Sequence, residues 1–131
     1  MSTPESVKLT IPGGRRHVGI ARLFVGGLAA RVGLGFEAMR DLQLAVESVL
    51  ITSRAPAEVT VEACFEADSV SILIGPFDQN PLGSGASQAG QLGLERLLAA
   101  LVDHSESYER DDGYWVSLDA RTAAVVVKGH T

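Results

Sequence analysis

Val32-Gly33-Leu34-Gly35-Phe36-Glu37-Ala38-Met39-Arg40-Asp41-Leu42-Gln43-Leu44-Ala45-Val46 sets the architecture of this chain. Its Gly-Leu-Gly segment interrupts whatever precedes it. After the break, Met39, Leu42, Val46, Val49 and Leu50 return at helical spacing. That period places them on one face of a helix, predicted from Phe36 to about Ser53 and stopped by Arg54-Ala55-Pro56.

On the N-terminal side, Val18, Ala21, Val25, Leu28 and Val32 describe a second stripe at three- and four-residue steps. It predicts a helix from Arg15 to about Val32. Gly19, Gly26 and Gly27 lie inside it, and each lowers helix propensity by up to ~1 kcal/mol. Packing must therefore hold this helix, and small residues would admit a close neighbour. Before it, Val7-Lys8-Leu9-Thr10-Ile11 alternates as a strand and Pro12-Gly13-Gly14 ends it.

On the C-terminal side, strands are predicted at Glu58–Phe65 and Val70–Ile74, joined by a turn at residues 66–69. Between Gly75 and Gly90 the density of Gly, Pro and Ser predicts a loop, with residues 76–90 forming a mobile lid-like segment. A third helix is expected from Gln91 to Val102, then strands at Ser105–Glu109 and Gly113–Leu118 around an Asp111-Asp112-Gly113 turn. The apolar segment Ala123–Lys128 has no clear place. With 131 residues and 46% hydrophobic content, the chain fits one domain spanning residues 1–131. The element order predicts an α+β fold: a two-layer sandwich of a mostly antiparallel sheet covered on one face by three helices.

Composition narrows the function. Eleven Lys and Arg against sixteen Asp and Glu give a net charge of -5, with the basic residues scattered, which argues against direct nucleic-acid binding. No apolar run approaches the ~20 residues needed to span a bilayer. The N-terminus lacks a signal-peptide pattern, so a cytoplasmic protein is expected. His17, His104 and His130 are too far apart in sequence for metal-ligand spacing, so no metal site is expected. Ser48 and Ser53 have no histidine base in evident reach, Cys64 reads as a small buried apolar residue, and Trp115 reads as core packing.

The Val32–Val46 stretch resembles the entry to the second helix of the anti-sigma-factor serine kinases of stress and sporulation regulation, in the histidine-kinase-like (GHKL) ATPase superfamily. The likeness extends from the Val7 strand through Ile20-Ala21-Arg22-Leu23 to Leu92-Gly93-Leu94 and the last hairpin. It implies the Bergerat fold, with an ATP pocket between helices and sheet. In that family a Glu two positions after the Leu-Ala-Val run activates the substrate hydroxyl, and an Asn one turn later binds magnesium. Here those positions are Ser48 and Thr52. Glu47 lies one residue early, a rotation of about 100° on a helix. A hydroxyl on Thr52 is a poorer ligand for a hard cation than an amide carbonyl. The family's adenine-binding Asp falls at Gly75 or Pro76, and Asp78 would replace it only if the loop shifted.

Gly83, Gly85, Gly93 and Leu94 match the lid and the start of the following helix, where backbone N–H groups can cradle phosphates. The resemblance thus implies a degenerate ATP site: no catalytic residue in place, no cofactor retained, and ATP with magnesium the weaker alternative. It further implies that Arg22 contacts a sigma factor or an anti-anti-sigma protein, with Arg16 bordering the same surface beside Arg15 and Arg40. The family's dimers suggest a homodimer through the sheet edge or the first helix. A regulatory protein-binding domain is the expectation; the alternative is a divergent serine kinase using Glu47 or Asp78.

Overall fold

The computed structural model describes residues 5–53, 57–83 and 89–121. Strand β1 (Glu5–Pro12) leads through a 3-10 turn (Arg15–His17) into α1 (Val18–Arg31) and α2 (Phe36–Thr52). The hairpin β2 (Glu58–Phe65) and β3 (Ser69–Phe77) follows, then α3 (Ala89–Leu101) and the hairpin β4 (His104–Arg110) and β5 (Gly113–Arg121). The sheet order is β1-β2-β3-β5-β4, and every neighbouring pair is antiparallel. The two-layer α+β sandwich anticipated from the sequence is what forms.

The predicted break at Gly33 is a helix stop of known geometry. Gly33 adopts φ +78°, its N–H donates to the Ala30 carbonyl, and the Leu34 N–H donates to the Ala29 carbonyl at 3.1 Å. This paired pattern needs a left-handed residue at that point, which glycine supplies without a Cβ clash. Leu34 then turns inward and is buried, so the break also anchors the helix pair.

Alternation builds the core. Val59, Val61, Ala63, Val70, Ile72, Ile74, Val116 and Leu118 point toward the helices and meet Ala21, Val25, Leu42, Val46, Val49 and Leu98. The opposite parity carries Thr60, Glu62, Ser71, Ser117 and Asp119 on the uncovered face. There the Thr10 and Thr60 hydroxyls lie 2.8 Å apart, and Ser71 Oγ donates to Asp119 Oδ1 at 2.5 Å. An antiparallel sheet covered on one side gives this division.

Strand parity corrects one expectation and places another on the far side of the sheet. Cys64 follows inward Ala63, so it faces outward and is half-buried rather than part of the core. Trp115 precedes inward Val116 and lies on the same uncovered face, outside the core cluster. It is nevertheless only 5% exposed. The Arg110 guanidinium stacks 4.4 Å from the Trp115 ring, and Trp115 Nε1 donates to Asp112 Oδ1 at 2.9 Å.

The predicted loop also begins later than expected. β3 continues through Gly75 and Pro76 to Phe77, which pairs with Tyr114 after a register shift. Pro76 has no N–H for the ladder, and an irregularity at this point accommodates it. Phe77 is 2% exposed, and Pro81 and Leu82 are buried. Asn80 fastens the turn: its Oδ1 accepts from the Leu82 N–H at 3.0 Å and its Nδ2 donates to the Gly83 carbonyl at 3.2 Å. The remainder of the anticipated lid, residues 84–88, and the segment Ala123–Lys128 lie outside the described residues.

Candidate functional site

Two of the predicted site residues, Arg22 and Glu47, meet at the seam between α1 and α2. The helices run antiparallel: Arg22 meets Glu47 while Gly26, one turn further along α1, meets Gln43, one turn earlier in α2. A Cβ on Gly26 would stand 2.5 Å from Gln43 Nε2. The missing side chain leaves the helix backbone open there, and Gln43 Nε2 donates to the Arg22 carbonyl at 3.0 Å. The close approach expected of the glycine-bearing helix is made at this residue.

Arg22 occupies the α2 flank of its helix, and its Nη1 donates to Glu47 Oε2 at 3.3 Å. The Arg22 side chain is 51% exposed and the Glu47 side chain 19%. A pair this open to solvent contributes on the order of 0.2–1 kcal/mol. The rotation between positions 47 and 48 has a visible consequence: Glu47 turns to α1, while Ser48 Oγ donates to the Leu44 carbonyl at 2.7 Å. Thr52 is exposed at the last residue of α2.

The other predicted residues do not converge on Ser48 and Thr52. Gly75 pairs with outward-facing Thr60, and a Cβ there would come within 2.6 Å of the Trp115 ring. Position 75 therefore addresses the sheet face opposite the helices. Asp78 is exposed just past β3, and Gly83 closes the Asn80 turn with φ +78°. Gly93 is exposed on α3, whereas Leu94 is 3% exposed and belongs to the core. Gly85 lies outside the described residues. Arg16 is exposed on the 3-10 turn, on the solvent side of α1.

A cavity of about 10 Å³ lies among Ile11, Gly14, Val18, Leu50, Val59 and Phe77. It has room for about one water molecule. Neither Ser48 nor Thr52 lines it. A larger open groove of about 550 Å³ runs past Glu66, Asp68, Ser71, Asp103, His104 and Asp119, away from the α1–α2 seam. His104 Nε2 lies 3.0 Å from Glu106 Oε1, and among the described residues no group of three His, Cys, Asp or Glu side chains is arranged to hold a metal ion. No described helix is long and apolar enough to cross a membrane.

One feature was missed from sequence. Ile20, Leu23, Phe36, Leu44 and Ile51 are exposed large apolar side chains on the outer surface of α1 and α2. The signal was present, since Ile20 and Leu23 fall off the inward stripe of α1.

In comparison with known proteins, the chain is similar to bacterial serine-protein kinases. Its relatives there are named serine-protein kinase RsbW. The Listeria monocytogenes protein is 28% identical over 129 residues, covering 79% of this chain and 80% of that protein. RsbW of Oceanobacillus iheyensis is 34% identical over 50 residues, covering 38% of this chain and 32% of that protein. RsbW of Halalkalibacterium halodurans is 37% identical over 43 residues, covering 33% and 26%. No protein-family profile matches the chain. These low-identity relatives support the family resemblance drawn from the Val32–Val46 stretch.

Proposed function

We propose that this chain is a cytoplasmic regulatory protein-binding domain of the anti-sigma type, built on a histidine-kinase-like fold whose ATP site has degraded. It sequesters a sigma factor or engages an anti-anti-sigma protein, using the surface around Arg22 and Arg16. The observation that carries this reading is the engagement of Glu47 with Arg22: the only carboxylate next to the expected catalytic position is directed at a neighbouring helix.

The donor set fits Mg-ATP poorly. Ser48 replaces a carboxylate and spends its proton on the Leu44 carbonyl. Thr52 offers a hydroxyl where a carbonyl oxygen is needed. Position 75 has no side chain and faces the Trp115 ring, so adenine lacks its charge-assisted anchor. No catalytic step is assigned to these residues. Calorimetric titration of the full chain with ATP and ADP, with and without magnesium, should stay flat to millimolar nucleotide. Saturable magnesium-dependent heat would reject the degraded-site reading, and binding assays against sigma-type and anti-anti-sigma-type proteins test the partner.

The likeness to serine-protein kinases favours a second reading, a divergent serine kinase using Glu47 or Asp78. Transfer of radiolabelled phosphate from ATP to a partner serine would establish it.

A further inference from the structure

Acid and base are unevenly shared between the two layers. Residues 57–83 and 103–121, which carry both hairpins, hold eleven Asp and Glu against two Arg, a net charge of -9 with His104 neutral. Residues 13–53, which carry α1 and α2, hold five Arg against three acids, a net charge of +2. The sheet layer therefore presents a stronger negative field than the overall charge of -5 suggests.

Strand register gathers part of that charge at one end of the sheet. Phe65 pairs with Val70, Ser69 with Arg121 and His104 with Asp119, so the β2–β3 turn, the start of β4 and the end of β5 meet there. Glu66, Asp68, Asp103 and Asp119 line the open groove of about 550 Å³ at this end, and Arg121 is its one lining Lys or Arg. Asp103 accepts from the Arg121 N–H and Asp119 from Ser71 Oγ. Glu66 and Asp68 are exposed, and among the described residues no ion pair takes up any of the four carboxylates. Two copies set face to face here would oppose like charges. A protein surface rich in Lys and Arg is complementary instead. Any protein that neutralises DNA phosphates carries such a surface, and the transcription-factor partner of the anti-sigma reading is one of these.

We infer that the acidic end of the open sheet face docks a Lys- and Arg-rich surface of a protein partner, of the kind that otherwise contacts DNA phosphates. This rests on the protein-binding reading and adds the chemistry of the partner's surface. The groove lies away from the α1–α2 seam, so it is a second contact surface. Long cationic side chains can enter it from the open face, reach Glu66 and Asp68 without displacing an internal partner, and find the Ser69 and Ser71 hydroxyls between the carboxylates.

Two fluorescent peptides of equal length, one alternating Lys with Ser and one alternating Glu with Ser, serve as probes in anisotropy titrations of the full chain. The Lys peptide should bind at least about tenfold tighter, and raising salt from about 50 to about 500 mM should weaken it about tenfold. Glu66→Gln combined with Asp68→Asn, at exposed positions that leave the fold intact by circular dichroism, should weaken the Lys peptide about fivefold or more. Glu37→Gln combined with Glu95→Gln removes the same charge from exposed sites on the helical layer and should change binding by less than about twofold. Equal binding of the two peptides, binding of neither, a flat salt response or indifference to the groove substitutions overturns the proposal. So does an equal loss from the helical-layer pair, which would reduce the effect to net charge. A dimer in ultracentrifugation that the groove substitutions dissociate also overturns it, by making a second copy the occupant. A sigma-type protein that binds but ignores the groove substitutions would sink this inference and leave the anti-sigma reading standing. Peptide binding with no sigma-type or anti-anti-sigma-type partner would fail that reading alone.

Discussion

Gly26 and Gly27 are adjacent in α1 and equally unfavourable to helix propensity, yet replacing them with alanine should give different results. Alanine is about 0.8–1.0 kcal/mol better than glycine inside a helix. At Gly27 a new Cβ meets nothing within 4 Å, so Gly27→Ala should keep the whole gain. For a chain of 131 residues, unfolding entropy of about 2.1 cal/mol/K per residue turns that gain into a Tm rise of about 3–4 °C. At Gly26 the new Cβ would collide with Gln43 Nε2. The amide must swing away and give up its bond to the Arg22 carbonyl, a loss of about 0.5–1.5 kcal/mol. Gain and loss nearly cancel, so Gly26→Ala should leave Tm within about 2 °C of the parent. Thermal unfolding followed by far-UV circular dichroism measures both. In a Gln43→Ala background the conflict is gone, and Gly26→Ala should then stabilise as much as Gly27→Ala. If Gly26→Ala raises Tm as far as Gly27→Ala with Gln43 intact, the clasp across the helix seam contributes nothing and the argument fails.

Further outcomes follow from the sheet and the core. Gly75→Ala forces a Cβ against the Trp115 ring and the Tyr114 carbonyl, and should destabilise by about 1–3 kcal/mol in denaturant titrations. Leu42→Ala, at a 1% exposed site, should cost about 2–5 kcal/mol by the same measurement. Arg110→Ala removes the cation stacked over Trp115; it should cost about 0.5–1 kcal/mol and red-shift tryptophan emission. Partial burial, then the charges of Glu62 and Glu66, push the Cys64 thiol above its ordinary range. It should react with iodoacetamide more slowly than a free thiol at pH 8. The folded state holds the thiol proton more tightly than the unfolded state, so this contribution is complete below the unfolded thiol pKa of about 8.5 and lost as pH rises through the folded value. Cys64→Ser should flatten the alkaline decline.

Wherever one periodicity dominated, local structure was legible. The stripe Met39, Leu42, Val46, Val49, Leu50 placed α2, and the alternation through Val59, Val61 and Ala63 placed β2. What sequence could not supply was which side of a strand a given residue takes once both sides are partly covered. Trp115 and Cys64 were assigned to the core on composition, and parity set by Val116 and Ala63 put them on the other face. Gly75 and Pro76 look like loop residues because neither favours a ladder. They are held in β3 by pairing at Phe77 and by the Trp115 ring resting where a side chain would be. The site was legible only as a set of substitutions along α2. That Glu47 would find Arg22 depended on how closely two helices approach, which Gly26 determines and no one-dimensional pattern displays.

The placement of the chain's one tryptophan has a practical consequence. Its indole sits on the far side of the sheet from both long helices, enclosed by the final hairpin. Intrinsic fluorescence will therefore follow loss of the β4–β5 hairpin during denaturation, but should remain silent when another protein covers the helical layer. A flat emission trace in a mixing experiment is thus no sign that nothing has bound; an extrinsic dye on the helix side is needed to see the encounter.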